Sequence, residues 1–160
     1  MVNPYLPYPV RIDEIITETE DKNLKTFKLV FLNPEDEAKF TYKSGQFAEL
    51  SVAGKGEIPI GIASSPTEKG FLKFTVNKAG VVTTALHAMK AGDIMGIRGP
   101  LGNWYPWEKM AGKDVAIIGG GWSGLAMAKE ITTRSGLNVV VLERGMPRKT
   151  SDYALGMDEL

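Results

Sequence analysis

"DVAIIGGGWSGLAMAKEITTRSGLNVVVLERG", residues 114–145, breaks the pattern of the chain that leads into it. Residues 114–119 are a short apolar run that passes directly into glycines. Residues 122–136 place Leu125, Ala128 and Ile131 at helical spacing, and residues 137–144 form a second continuous apolar run. Strand, glycine turn, amphipathic helix and strand in so short a span predict a βαβ unit with parallel strands, each apolar enough for burial on both faces.

The turn itself reads Gly119-x-Gly121-x-x-Gly124 and opens the helix. The first glycine permits the tight turn, the second lets backbone approach a pyrophosphate, and the third lets helix and strand pack closely. The helix N-terminus then offers amide donors to phosphate oxygens. Glu143 ends the second strand 19 residues after Gly124, where an acid accepts hydrogen bonds from a ribose 2′-hydroxyl and opposes a 2′-phosphate. The pattern therefore favours FAD or NAD over NADP at this loop. The plainer alternatives are a tight turn in a non-binding α/β unit and a solvated strand end at Glu143.

Upstream, the grammar is different. Residues 10–19, 25–32, 46–53, 58–64, 71–77 and 93–99 are short, partly alternating and rich in β-branched and aromatic side chains, with Gly, Pro, Asn and Asp between them. They predict an antiparallel sandwich or barrel. "VVTTALHAMKAG" (81–92) interrupts them with Val82, Ala85, Leu86 and Met89 on one helical stripe, closed by Gly92. "NPEDEAKF" (33–40) reads as a solvated loop, and His87 as a hydrogen-bonding core residue or an exposed one. The junction between the two grammars falls near 110–113, dividing the chain into 1–110 and 111–160.

Composition narrows the chemistry. Acidic and basic residues balance at 19 each, so no general field draws nucleic acid or an acidic membrane. No apolar run reaches membrane-span length. The absence of cysteine removes thiolate metal sites and disulfides and fits a cytoplasmic protein, and a single histidine supports neither a triad nor a His-based metal site. Any redox chemistry must come from a bound organic cofactor.

"QFAELSV" (46–52), "IPIGIASSP" (58–66) and "AGVVTTALHAMKAGDIMGIRGPLGN" (79–103), in this order, resemble the FAD-binding barrel of the ferredoxin–NADP reductase-like family. The likeness is to the electron-transfer subunits of hydrogenase and sulfite reductase complexes, over about residues 8–108. It implies an antiparallel, Greek-key barrel of six strands with one short helix. Position by position, Ile58 to Ser64 falls on the family's Arg-x-Tyr-Ser-x-x-Ser strand. That gives Ile60, Gly61, Ile62 and Ser64 to the flavin, although Ile58 replaces the arginine, Ile60 the aromatic and Gly61 the first serine. Gly80, Val82 and Thr83 match the pyrophosphate loop at the helix start, and Gly99-Pro100-x-Gly102 matches the turn that leaves the barrel. Residues 114–145 resemble instead the N-terminal FAD-binding unit of glucose–methanol–choline type flavoprotein dehydrogenases, a partial Rossmann-like βαβ unit.

The two resemblances together imply a flavin-dependent electron-transfer module of an NAD(P)H-linked oxidoreductase. FAD is expected on the barrel, with NAD(P) as a second ligand and a partner electron-transfer subunit or self-association. Gly119, Gly121, Gly124 and Glu143 are expected to hold a second dinucleotide. The alternatives are a nucleotide-binding or subunit-interface fragment or chimera without turnover, and a fragment of a glucose–methanol–choline type FAD dehydrogenase. The second half is expected to be truncated or fused, because two strands and one helix leave apolar faces uncovered.

Overall fold

The computed structural model describes residues 3, 5–110, 112–120, 122–135 and 137–145. The chain divides into two compact units, Met1–Tyr105 and Pro106–Leu160.

The first unit is a single antiparallel sheet. Strands β1 (Tyr8–Thr17) and β2 (Leu24–Phe31) pair as a hairpin. Val10 and Ile12 alternate inward, and a bulge between Ile12 and Glu14 then shifts the phase, so that Ile15 and not Glu14 turns toward the core. The carboxylate of Asp13, left outside, pairs with Lys28 at 2.8 Å.

Residues 34–39 are a helix, α1 (Pro34–Lys39), and not the loop expected from the sequence. Asn33 caps it by accepting from the Glu35 amide at 2.9 Å, and Pro34 starts it with its φ already helical. At six residues it is too short to show an apolar period. The barrel unit thus carries two helices where the sequence predicted one.

Strands β3 (Phe47–Val52) and β4 (Gly56–Gly61) form a second hairpin. Strand β5 (Leu72–Asn77) alternates buried Leu72, Phe74 and Val76 with less buried neighbours. Helix α2 (Val81–Ala88) and strand β6 (Ile94–Leu101) complete the unit. The sheet order is β4-β3-β6-β1-β2-β5, with every neighbouring pair antiparallel. β6 enters between β1 and β3, so the chain crosses over rather than meandering, as a Greek key requires.

The two edge strands, β4 and β5, meet at one end only. There the Ala63 amide donates to the Lys73 carbonyl at 2.8 Å, and the Lys73 amide donates to Ser64 Oγ at 3.1 Å. At the other end α2 fills the gap, with Leu86 fully buried and His87 Nε2 2.9 Å from the Val76 carbonyl. The enclosed core is built from Phe27, Phe74, Ile12, Leu29, Leu50 and Ile97, all fully buried.

In the second unit, α3 (Trp107–Met110) precedes β7 (Val115–Ile118), α4 (Trp122–Ser135) and β8 (Val139–Leu142). β7 and β8 pair in parallel, Val115 with Val139 through to Ile118 with Leu142. Ile117 and Ile131 are buried between sheet and helix. The expectation of burial on both faces does not hold for the described residues: Ile118, Val140 and Leu142 are 89%, 57% and 55% exposed. One helix covers one face of a sheet, and alternation sends every second side chain to the other. Among the described residues no helix is long and apolar enough to cross a membrane.

Candidate functional site

Strand β4 alternates. Ile58, Ile60 and Ile62, along the strand and just past its end, are half-buried and pack on the core, while Pro59, Gly61 and Ala63 are exposed. A Cβ built at Gly61, or at Gly80, would meet no atom within 4 Å, so open space lies before both. One added at Gly56, where β4 starts, would lie 3.6 Å from Val82 Cγ2. The fold therefore brings the start of β4 beside the first turn of α2.

That first turn is pre-shaped. Thr83 Oγ1 accepts from the amides of Ala79 and Gly80 at 2.9 and 2.7 Å, and it donates to the Gly80 carbonyl at 3.0 Å. The threonine is thus spent on the cap. The amides of Val81, Val82 and Thr83, by the geometry of any helix start, have no acceptor within the helix. They are donors for an anion, and the helix dipole adds to their pull.

Ser64 has a different situation from its motif neighbours. It is 6% exposed, and its hydroxyl accepts from the Lys73 amide and pairs with Tyr42 Oη at 3.0 Å. Tyr42 Oη also donates to the Ser64 carbonyl at 3.1 Å. Burial pushes the Tyr42 phenol up and the nearby Glu68 charge adds to this, while the Ser64 hydrogen bond opposes them. Ser64 is the bolt at the closed end of the barrel, away from the α2 end of β4. Sequence reasoning missed Tyr42, because no local pattern marks a partner 22 residues away.

These residues fit a flavin dinucleotide in part. Free helix-start amides and two unobstructed glycines suit a pyrophosphate, while the isoleucine row packs on the core and leaves only part of its surface exposed. Ile58 and Ile60 supply neither a charged phosphate partner nor ring stacking. His87, the buried imidazole of α2, faces Phe27 edge-on at 5.7 Å. A separate cleft of about 360 Å³, between α1 and the Pro66–Leu72 segment, is lined by none of the cofactor-binding residues expected from the sequence.

In the second unit, Gly119, Gly124 and Glu143 come together at the ends of β7 and β8 from which α4 begins. Gly119 has φ +103°, a conformation open to glycine, and its amide donates to the Leu142 carbonyl at 2.8 Å. A Cβ on Gly124 would collide with the Gly119 carbonyl oxygen, so only glycine allows this approach of helix to strand. Gly121 lies outside the described residues. Glu143 accepts from the Gly120 amide with one oxygen and from the Gly145 amide, at 2.6 Å, with the other. These amides, Gly145 first and Gly120 next, hold its carboxyl below the usual carboxylate range. Each oxygen keeps one lone pair for another donor.

Comparison with known proteins agrees with the barrel. The gamma subunit of sulfhydrogenase 1 from Pyrococcus furiosus is 42% identical over 119 residues, which are 74% of this chain and 40% of that one. A "Probable dihydroorotate dehydrogenase B (NAD(+)), electron transfer subunit" of Methanocaldococcus jannaschii is 33% identical over 153 residues. That alignment takes in 95% of this chain and 52% of the relative, so it runs through both units. The chain spans about half the length, or less, of these relatives.

Among solved structures, a ferredoxin NADP+ reductase from Neisseria gonorrhoeae with bound FAD and NADP shares the fold. Its TM-score is 0.57 at 23% identity, over 83% of this chain and 56% of the other. The Amycolatopsis cytochrome P450 reductase GcoB gives a TM-score of 0.63 at 23% identity, over 92% of this chain and 46% of that one. Residues 114–157 match a family described as FAD dependent oxidoreductase. Neither that match nor these relatives carry the narrower glucose–methanol–choline likeness. Residues 12–105, more than half of the sequence, match the oxidoreductase FAD-binding domain, and the chain belongs to that family.

Proposed function

We propose that this chain is the FAD-holding part of a module that passes electrons from NAD(P)H to a partner protein. The observation that carries the reading is the first turn of α2, whose unpaired amides open beside β4 in a chain of an FAD-binding family. Gly80, Val82 and Thr83 shape and present those amides to the pyrophosphate. Gly61 gives the ring room along β4, and Ile60 and Ile62, anchored in the core on either side of it, hold that stretch of strand in place. Ser64 contributes by fixing the exit of β4 against β5. When bound, FAD supplies the capacity to take two electrons from a nicotinamide and return them singly. No side-chain acid or base is required of the protein, which binds and orients.

Gly119, Gly121, Gly124 and Glu143 hold a second dinucleotide in this reading, on a Rossmann-like unit that begins with β7. The acid favours an unphosphorylated ribose, of NAD or of FAD. The relatives named as an NAD(+)-linked electron transfer subunit and as a hydrogenase subunit support a nicotinamide donor and a partner subunit. Purified protein titrated with FAD is expected to show bound-flavin absorbance and to reduce a one-electron dye with NADH. Failure to bind FAD sinks the proposal.

A second reading, a binding module without turnover, is favoured by one contact. The Glu143 carboxylate already accepts two amides of its own loop region, which leaves fewer positions for a ribose. Bound FAD with no NADH- or NADPH-dependent dye reduction selects this reading over the first.

A further inference from the structure

We infer that Lys55 and Lys78, one on each flank of the first turn of α2, neutralise the pyrophosphate of the flavin dinucleotide, an inference that rests on the FAD reading above. The need is electrostatic. A pyrophosphate bridge carries two negative charges, whereas the start of a helix offers roughly half an elementary positive charge. From Ile58 to Ser64 along β4, and from Gly80 to Leu86 along α2, no side chain is cationic. The amides can therefore orient the phosphates but leave most of their charge uncompensated.

The fold brings a lysine to either side of that turn. In the connection between β3 and β4, the Lys55 amide donates to the Val52 carbonyl at 2.9 Å. Gly56, the next residue, is the one whose added Cβ would lie 3.6 Å from Val82 Cγ2. Consecutive Cα atoms are about 3.8 Å apart, so the Lys55 backbone stands within a side chain's length of the helix start. On the other flank, the Lys78 amide donates to the Asn23 carbonyl at 2.8 Å, carrying the β2–β5 ladder past Asn77. The next two amides, of Ala79 and Gly80, both go to Thr83 Oγ1. Lys78 is thus one peptide away from the hydroxyl that caps the turn.

Both lysines are available. They are exposed, and among the described residues neither ammonium is held in an ion pair. Other cations near α2 are engaged or lie elsewhere. Lys25 Nζ donates to the His87 carbonyl at 3.1 Å, in the last turn of the helix, and Lys90 follows that far end. Arg98 is paired with Glu57 at 2.8 Å. That pair, with Ser51 Oγ donating to the same carboxylate, also compensates the acid next to Gly56, which would otherwise repel a phosphate. A lysine is a point charge on a flexible stem, without the planar fork that fixes a phosphate's direction. Division of labour follows: the α2 amides set the geometry, and the two lysines supply charge that salt can screen.

The test is FAD binding to the full chain, followed by flavin fluorescence, at about 0.02 M and about 0.5 M salt, which bracket a wide range of screening. The proteins are the parent, Lys55→Gln, Lys78→Gln, the double variant and Lys90→Gln. At low salt each of the first two variants is expected to bind about threefold more weakly than the parent, and the double variant about tenfold, the scale of solvent-exposed ion pairs. At high salt the double variant is expected to come within about twofold of the parent. Lys90→Gln removes the same charge at the far end of α2 and is expected to bind like the parent at both salts. A double variant that matches the parent at low salt overturns the inference. So does a loss that high salt leaves undiminished, because it is then not electrostatic. An equal loss in Lys90→Gln also overturns it, since FAD then responds to net charge and not to these two positions. A parent protein that binds no FAD at either salt overturns the FAD reading itself.

Discussion

Ser64 shows how a motif residue can be legible while its work is not. Its position in "IASSP" is visible in the sequence, but its two partners, the Lys73 amide and Tyr42, are brought to it only by closure of the barrel. Ser64→Ala removes the acceptor of a partly buried amide and is expected to cost about 1–2 kcal/mol of barrel stability, measured by urea denaturation. Tyr42 gives the same seam a pH limit. Its phenol is raised by burial, so its contribution is complete below the ordinary tyrosine range and disappears as pH rises through the higher folded value. Glu143 runs the other way. Its carboxyl is lowered by the Gly145 and Gly120 amides, so the loop clamp holds throughout the ordinary carboxylate range and releases only below it. An NMR titration should move the Gly120 and Gly145 amide shifts with a midpoint below that of an unstructured glutamate. A midpoint at the ordinary value would mean that the carboxylate does not hold those amides in solution. The acid itself was legible from its spacing after Gly124; its turn back onto the glycine loop was not, because spacing says nothing about which donor a carboxylate chooses.

At the scale of elements, the strands of the barrel were legible because alternation survives wherever one face is buried, as in Leu72, Phe74 and Val76. α2 was legible from its stripe, and α4 likewise. α1 was not, since six residues hold less than two turns and its signal lies in the cap rather than in any period. The cap has a consequence beyond the helix. Glu37 on α1 accepts from the Gly70 amide at 2.8 Å, tying the segment before β5 to the helix. Asn33→Ala is expected to cost about 0.5–2 kcal/mol and to speed hydrogen exchange at Glu35 and, through the tie, at Gly70. Exchange that quickens at Glu35 alone would show that α1 and the 65–70 segment open separately. The "GxGxxG" unit was legible as strand, loop, helix and strand, and so was the prospect of an uncovered face; which side chains would stand on it was not, because apolar runs in sequence do not say which face a single layer will cover.

That bare face acts on the behaviour of the whole molecule. Ile118, Val140 and Leu142 lie on one side of the parallel pair, each more than half exposed, in a chain whose formal charges cancel. Full burial of such a side chain is worth about 1.5–3 kcal/mol, and a chain of zero net charge has no long-range repulsion to oppose contact. The protein is therefore expected to associate in a concentration-dependent way at neutral pH, read by sedimentation velocity. The natural contact of identical chains is two-fold, and it sets the same patch against itself. A lysine introduced there meets its own copy, so a single substitution acts twice, through lost apolar area and through like-charge repulsion. Val140→Lys is expected to shift the distribution toward the monomer, and to do so more strongly at low salt, where the repulsion is less screened. FAD binding by the barrel is expected to be unaffected. A profile that Val140→Lys and Ile118→Lys both leave unchanged would place the association on another surface.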